Sequence, residues 1–289
     1  MPIRVSLVHR TYYTYDIPVY LSAHSFRLKP AAHSFLQPES YSLTISPENH
    51  SLHWHQDPFG NFVARVDFTG TLNTMSAEVK FTVEWKDRDP FDFFLEDYAQ
   101  VFPFIYENSL EKALYPYFEL TEESSLLSDL VTGVMERQGS GIIEFLVRLN
   151  KEVNQRIAYT IRMEPGIQSC EQSLALASGS CRDSAWLLVQ ILRRMHLAAR
   201  FVSGYLLETG DHADDRLSLH AWTEVYLPGA GWIGLDPSSG LFAGAGHIPL
   251  AATPEPDSAA PVSGTTGQCR STLNFMSEVI RLNGTNNDN

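Results

Sequence analysis

Alternation of apolar and polar residues dominates the first 90 residues of the chain. Five stretches have a period of two or are rich in β-branched and aromatic residues, which is typical of β-strands. A tight-turn signal, "DPFGN" at residues 57–61, separates two of them. Short strands with frequent turns predict an N-terminal β-sandwich domain over residues 1–90. The five stretches are "RVSLVHRTYYTY", "SYSLTIS", "SLHWHQ", "NFVARVDF" and "AEVKFTVEW".

The pattern changes after this domain. Residues 91–119 are aromatic, acidic and interrupted by prolines, and we interpret them as a connector that wraps the surface. Over residues 120–250, apolar residues three and four apart predict helices, and shorter apolar stretches after them predict strands. Helices that precede strands indicate an α+β fold. Residues 251–289 are rich in Pro, Ser, Ala and Gly and are expected to be an extended C-terminal segment, in which "STLNFMSEVIRL" returns as a final strand.

Charge and composition narrow the classes of partner. The net charge is −13, with 34 acidic and 21 basic residues and no run of Lys or Arg, so nucleic acid is not an expected partner. No stretch has the roughly 18 uninterrupted apolar residues of a membrane span. The chain starts like a strand rather than a signal peptide, and its three cysteines form no disulfide framework. We therefore expect a cytoplasmic protein without membrane partners.

Cys181 stands at the head of a strongly apolar helix, in the stretch "SGSCRDSAWLLVQILRRM". Apolar residues recur at helical spacing after it, and a second apolar stripe predicts burial on most of the helix surface. Asp183 in the first turn and two arginines in the last agree with the helix dipole. Free backbone N–H groups at the start of a helix stabilise a thiolate, so Cys181 is a candidate nucleophile.

A nucleophilic cysteine needs a base and an orienting group. The best candidates are His220, at the start of "HAWTEVYL", and Asp236, at the end of "WIGLD". The turn "PGAG" between them predicts an antiparallel hairpin with both side chains toward one end. Centring the turn on Gly229 and Ala230 places Asp236 opposite Thr223 rather than His220, so a bulge or asymmetric loop must absorb the difference.

Three ordered motifs make the chain similar to a known family. "GSCRDSAWLLVQILRRMHLAARFVSGYL", "HAWTEVYLPGAGWIGLDP" and "GHIPLAATP" resemble the core of bacterial transglutaminase-like proteins, which belong to the papain-related superfamily of cysteine proteases and transglutaminases. The N-terminal stretch "HRTYYTYDIPVYLSAHSFRLKP", followed by "DPFGN", resembles the β domain that precedes that core. The resemblance covers most of the chain.

The resemblance implies a papain/transglutaminase-like catalytic domain in which a helix bearing the cysteine packs on an antiparallel sheet. It implies that Cys181 is the nucleophile, His220 the general base and acid, and Asp236 the orienting carboxylate. The expected reaction is acyl transfer on a peptide or amide substrate through a thioester, with no cofactor or metal. Water as acceptor gives hydrolysis, which we favour, and an amine gives transamidation. Many relatives carry histidine where this chain has Trp186, which would alter the pocket rather than the triad.

Other interpretations of these residues stay open at this point. The fold could serve as a catalytically silent binding module, or His53, His55 and Asp57 of "HSLHWHQD" could form the site of a metal-dependent hydrolase. The acidic loop "GDHADD", residues 210–215, could attract a cationic substrate or bind calcium, although a solvated loop explains it as well. Cys170 is expected to be a buried free thiol, and Cys269 has no predicted role.

Overall fold

The computed structural model describes residues 3–136, 141–209 and 215–282. Within these ranges the chain forms fifteen strands, many of them long and paired across distant parts of the sequence. The strands are β1 (Ile3–Val19), β2 (His24–Phe26), β3 (Pro38–Ser46), β4 (His50–Gln56), β5 (Phe62–Phe68), β6 (Leu72–Trp85), β7 (Ala158–Tyr159), β8 (Ser178–Gly179), β9 (Ala199–Glu208), β10 (Arg216–Leu227), β11 (Gly231–Asp236), β12 (Leu241–Phe242), β13 (His247–Thr253), β14 (Val262–Ser263) and β15 (Ser271–Leu282).

Five α-helices lie between the two groups of long strands. They are α1 (Asn108–Ala113), α2 (Ser125–Met135), α3 (Ile142–Arg156), α4 (Cys170–Leu176) and α5 (Cys181–Arg194). The helices predicted from apolar periodicity are confirmed as α2, α3 and α5, and the strands predicted after them as β9, β10 and β11. The order of helices followed by an antiparallel sheet confirms the α+β class.

Two four-stranded antiparallel sheets form the N-terminal β region. Their strand orders are β15-β1-β6-β3 and β14-β2-β5-β4. Both sheets bury side chains in the same apolar core, for example Leu7 and Phe81 from the first and Phe26 and Val66 from the second. Two sheets that share one core confirm the predicted β-sandwich.

The C-terminal segment completes this sandwich. β15 pairs with β1 along twelve positions, from Arg4↔Leu282 to Tyr15↔Ser271, and β14 pairs with β2. The final strand predicted within this segment is thus confirmed as β15, and β14 adds a strand to the second sheet. The strands of this segment supply one edge of each sheet. Residues 283–289 of that segment lie outside the described residues.

The five-stranded antiparallel sheet, in the order β12-β11-β10-β9-β13, is the centre of the second half of the chain. Helix α5 packs across it, and Thr223 on β10 donates a hydrogen bond to the carbonyl of Ala185 at 2.8 Å. On the same side of β10, the side chains of Ala221, Val225 and Leu227 enter the helical core. Polar side chains such as His220 project from the opposite side of β10, so they do not enter this core and are available for a reaction.

Residues 91–119 are more than a surface connector. Phe102, Phe104 and Tyr106 are buried in the helical core, and Phe102 stacks on Phe145 of α3 with 4.2 Å between ring centroids. Burial of aromatic side chains lowers the free energy of the folded chain, so those of this stretch pack into the core. The acidic residues and prolines beside them are typical of a surface segment and led to the prediction. The prediction of a surface-wrapping connector is therefore corrected in this part.

The N-terminal sandwich and the five-stranded sheet also share packing. Tyr205 and Leu207 of β9, with Ile248 and Leu250 of β13, belong to the apolar core of the sandwich. β9 thus contributes to both cores, since Phe201 packs in the helical core while Tyr205 and Leu207 pack in the core of the sandwich. No helix in the described part of the chain combines the length and the apolar character that a membrane span requires.

Candidate active site

Cys181 is the first residue of α5 and is partly exposed, although most of the helix behind it is buried. The N–H groups of a first helical turn have no partners within the helix, so they and the helix dipole favour a negative charge on the sulfur. The sulfur therefore lies where an apolar core meets solvent, at the positive end of a helix dipole.

A buried carboxylate fixes the start of this helix. Asp183 accepts hydrogen bonds at 2.7 Å from both the backbone N–H and the hydroxyl of Ser180, and at 2.7 Å from the backbone N–H of Gln168. Arg162 adds two contacts of 2.7 and 2.9 Å. Burial alone would raise the pKa of Asp183, but these hydrogen bonds lower it. The charged carboxylate ties the helix start to the preceding loop and to the segment after β7.

His220 lies on β10 and is held by Asp236 of β11. Its Nε2 is 3.1 Å from Oδ2 of Asp236, and both side chains are almost completely buried. On the neighbouring strand β9, the residue paired with His220 is Gly204. With Nε2 on the carboxylate, Nδ1 is the ring nitrogen left for a second partner.

The register of the β10–β11 hairpin differs from the prediction. Leu227 pairs with Gly231 and Thr223 pairs with Leu235, because the turn contains three residues, 228–230. Continuing this register by one position sets Asp236 across from Trp222, which shares a strand face with His220. The predicted position of Asp236 opposite Thr223 is therefore wrong by one residue, and the pairing needs no bulge.

The Asp236 carboxylate accepts hydrogen bonds on both oxygens. Oδ2 accepts a hydrogen bond from Nε2 of His220 and another, of 3.3 Å, from Nε2 of His247. Oδ1 receives the backbone N–H of Ser238 at 2.9 Å and its hydroxyl at 2.5 Å. Sequence reasoning missed His247 and Ser238; the only signals were their places in the quoted "GHIPLAATP" motif and directly after "LDP".

Two asparagines of α3 anchor the loop that carries this carboxylate. Nδ2 of the buried Asn150 donates to the carbonyls of Asp236 at 3.3 Å and Leu241 at 2.9 Å. Nδ2 of Asn154 donates to the carbonyls of Pro237 at 3.1 Å and Ser238 at 2.7 Å. Polar positions on an amphipathic helix appear solvent-facing in sequence, so their role could not be predicted from periodicity.

The thiol, the imidazole and the carboxylate interact electrostatically. Burial alone would lower the pKa of His220, but hydrogen bonds and charges of Asp236 and Cys181 outweigh burial and raise it to about 10. Burial alone would raise the pKa of Asp236, but hydrogen bonds from His220 and His247 hold it far below its usual range. The structure thus brings Cys181, His220 and Asp236 together and favours the protonated form of the His220 ring.

This coupling predicts a pH dependence of stability. The raised pKa of His220 contributes stability in full below about pH 6.5, and that contribution is lost as pH rises toward about 10. The lowered pKa of Asp236 contributes fully above about pH 3.9 and is lost as pH falls. We expect the difference in unfolding free energy between the wild type and His220→Phe to be largest from about pH 4 to 6.5 and to shrink at higher pH. Urea titrations from pH 4 to 10 measure it, and a difference that grows toward pH 10 would contradict the coupling.

Two family models match the chain, one over the sandwich and one over the region of the site. Residues 5–84 match the family described as "Bacterial transglutaminase-like N-terminal region", and residues 128–237 match the "Transglutaminase-like superfamily". The chain belongs to the bacterial transglutaminase-like proteins. The second match ends one residue after Asp236 and contains the helix of Cys181 and the strand of His220. The match to this superfamily supports assigning the chain to the cysteine-dependent enzymes in general.

Relatives of this transglutaminase-like protein cover most of its length. Proteins described as uncharacterized, from Mycobacterium tuberculosis strains H37Rv and CDC 1551 and from Mycobacterium bovis, are 24% identical over 247 residues, covering 82% of this chain and 79% of each relative. A solved structure described as "a Putative Cysteine Protease from Cytophaga hutchinsonii" superposes with a TM-score of 0.73 at 18% identity, covering 98% of this chain and 92% of that one. This likeness shows that the fold is shared.

Trp222 packs against both imidazoles of the transglutaminase-like site. It is fully buried, its ring lies nearly parallel to His220 at 6.4 Å between centroids, and its edge meets His247 at 5.1 Å. Space for the indole comes from a glycine on the neighbouring strand β9, because a Cβ on Gly204 would be 2.4 Å from the Trp222 ring. The lack of a side chain at Gly204 therefore lets a large ring pack beside the imidazoles.

Gly204→Ala should therefore damage both stability and the site. The added methyl would lie 2.4 Å from the Trp222 ring and 2.4 Å from the carbonyl oxygen of Ile248. We expect the unfolding free energy to fall by about 1–3 kcal/mol through overpacking. The matched control is Gly133→Ala in α2, where an added Cβ meets nothing within 4 Å. Thermal denaturation of both variants measures the difference, and equal stabilities would contradict this packing.

The residues of the metal-hydrolase alternative do not form a site. His53 and His55 are exposed on β4. The Asp57 carboxylate stabilises the turn in which it lies. It accepts hydrogen bonds of 2.9 Å from the backbone N–H groups of Phe59 and Asn61 and from the side-chain amide of Asn61. Among the described residues, the His, Cys, Asp and Glu cluster with metal-ligand spacing is instead His220, Asp236 and His247, with ligand atoms within 4.8 Å of one another. Those atoms already hydrogen-bond each other, which explains their proximity without an ion.

Trp186, the first of the remaining candidates, is buried and donates its indole N–H to Glu122 at 2.5 Å; its effect on the pocket stays a prediction. Cys170 is a buried free thiol, and burial raises its pKa well above the usual range. Cys269 is also free and lies 3.6 Å from the Thr266 hydroxyl. Of the acidic loop 210–215, residues 210–214 lie outside the described residues, and Asp215 pairs with Arg281 at 2.6 Å.

Proposed function

We propose that this transglutaminase-like protein is a cysteine hydrolase that acts on a peptide or amide carbonyl through a thioester. The observation that carries the proposal is the joint position of three side chains: a helix-head thiol that interacts with a buried imidazole, and a carboxylate 3.1 Å from the far nitrogen of that ring. In this arrangement Cys181 is the nucleophile, His220 the acid and base, and Asp236 the orienting group.

The first half-reaction forms the acyl-enzyme. The Cys181 thiolate attacks the carbonyl carbon, and the new oxyanion lies near the backbone N–H of Cys181 at the helix start. The partners of His220 stabilise its protonated form. The ring donates this proton to the departing amine nitrogen as the C–N bond breaks. A thioester and a neutral imidazole remain, while Asp236 stays ionised because four hydrogen bonds stabilise its charge.

The second half-reaction releases the acid. Neutral His220 takes a proton from water, and the hydroxide adds to the thioester carbonyl. Collapse breaks the C–S bond, giving a carboxylic acid and the thiolate–imidazolium pair. We favour water over an amine as acceptor because hydrolysis needs no second substrate site beside the cleft. An amine acceptor would follow the same steps and give transamidation.

Trapping the acyl-enzyme tests this proposal. We would incubate the protein with a panel of small peptide amides and γ-glutamyl amides, quench with acid and measure intact mass. The expected result is an adduct of the acyl mass that is absent in Cys181→Ala and is released by hydroxylamine. The absence of any adduct, together with alkylation of Cys181 by iodoacetamide no faster than in the unfolded chain, would favour the catalytically silent binding module.

Two further arms address the other expectations. Added primary amines should leave mostly acid product if water is the acceptor, whereas predominant amide product would make the protein a transamidase. Dialysis against a chelator should leave turnover unchanged, and a loss restored by a divalent metal would favour a metal-dependent hydrolase. The cytoplasmic location and the absence of nucleic-acid and membrane partners stay predictions.

A further inference from the structure

His247 is a partly buried imidazole to which the reaction above gives no role. It is the first residue of β13, ten residues beyond the part of the chain that matches the superfamily core. Its side chain is 12% exposed, and among the described residues its ring contacts the titratable side chains of Asp236 and His220.

Hydrogen bonding fixes the tautomer of this ring. The backbone N–H of Gly244 donates to Nδ1 of His247 at 3.2 Å, so Nδ1 must present a lone pair. The proton of the neutral ring is therefore on Nε2, which lies 3.3 Å from Oδ2 of Asp236 and donates to it. His247 is thus a neutral donor, whereas His220 on the same oxygen is favoured as imidazolium.

Packing fixes the orientation of the ring as well. The indole of Trp222 meets it at 84° between ring planes, with 5.1 Å between centroids. The residue before it must be small, because a Cβ on Gly246 would lie 2.2 Å from the carbonyl oxygen of Leu207. β13 is also tied to β9, where Pro249 pairs with Gly204 beside His220. This packing holds the His247 ring so that its Nε2–H bond points at the Asp236 carboxylate.

We propose that His247 is a positioning residue that holds the Asp236 carboxylate in the orientation that meets His220. This inference rests on the proposed function, since it assigns His247 a task in the same site. His247 acts through Asp236 and touches no reacting atom. With His247 on one side of Oδ2 and Ser238 on Oδ1, the carboxylate cannot rotate away from His220 without losing a hydrogen bond.

The first test needs no substrate. In protein labelled with ¹⁵N-histidine, long-range ¹⁵N–¹H spectra at pH 7 report the tautomer of each ring, and His247→Leu identifies the signals of His247. We expect a neutral ring with the proton on Nε2. A proton on Nδ1, or a doubly protonated ring, would overturn the inference, because Nδ1 could not then accept from Gly244.

The second test separates the donor from the ring. His247→Leu removes the N–H, and we expect kcat to fall about tenfold and Cys181 alkylation at pH 6 to fall in parallel. His247→Gln keeps an N–H donor and should stay within about threefold of the wild type. The matched control is His24→Leu, which removes another buried histidine, bonded through Nδ1 to the Ser22 carbonyl at 2.8 Å, far along the chain from the cleft.

The outcomes distinguish this inference from the proposed function. If Cys181 forms no acyl-enzyme and alkylates slowly even in the wild type, the proposed function fails, while the tautomer result still stands on its own. If the wild type turns over and the folded Leu and Gln variants both match it, the positioning role is wrong. If Gln loses as much as Leu, the ring rather than the donor matters, which also contradicts the inference.

Discussion

Replacing Cys181 with alanine is expected to lower turnover on the order of 10⁴-fold or more, the largest effect of any single change in this chain. Without the sulfur there is no thioester, and only the helix N-terminus and the cleft remain to assist direct attack by water. Unfolding free energy should change little, because the side chain is partly exposed and the helix start is fixed by Asp183. Initial rates on the substrates found by acyl-enzyme trapping give the measurement.

Cys170 provides the matched control for this variant. It lies eleven positions earlier, at the start of α4, and is buried as a free thiol whose pKa is raised. Cys170→Ala should retain the activity of the wild type, and in the folded protein iodoacetamide should modify Cys181 but not Cys170. Equal loss of activity in both alanine variants would mean that the core, not a nucleophile, was damaged.

The sequence allowed the three principal side chains to be found because each carries a local signal. Cys181 follows capping residues at the start of an apolar helix, and His220 and Asp236 flank a recognisable hairpin. What could not be predicted was the hairpin register, because turn length sets it and a three-residue turn is not distinguishable from its neighbours by composition. A shift by one residue was enough to remove the need for a bulge.

The supporting residues were missed for a different reason. Ser238 lies two positions after Asp236, but nothing in the local pattern marks its hydrogen bonds to that carboxylate. His247 and Asn150 are single polar residues whose partners lie on other elements, so no period or spacing connects them to the site. The same applies to β15, which crosses back to pair with β1 at a separation of more than 250 residues. Long-range pairing depends on tertiary packing, and local pattern reveals only that the segment is a strand.

Asp236→Asn is expected to have the second largest effect, because no orientation of an amide satisfies this site. Both carboxylate oxygens accept: Oδ1 from the N–H and hydroxyl of Ser238, and Oδ2 from His220 and His247. Asparagine has one accepting oxygen, so its NH₂ must face either a backbone N–H or two imidazole donors. We expect unfolding free energy to fall by about 3 kcal/mol at pH 6.

The activity of this variant should fall about 10²–10⁴-fold. Loss of the negative charge removes a hydrogen bond and a charge that raise the pKa of His220, while burial, which lowers it, remains. A smaller fraction of the ring would be protonated at pH 7, so the Cys181 thiolate would more often lack an imidazolium partner. Cys181 alkylation should therefore slow at pH 6 and recover only at higher pH. Ser238→Ala keeps the charge and loses one donor, so it should cost less than about tenfold. Full activity of Asp236→Asn at pH 6 would show that the carboxylate does not orient His220.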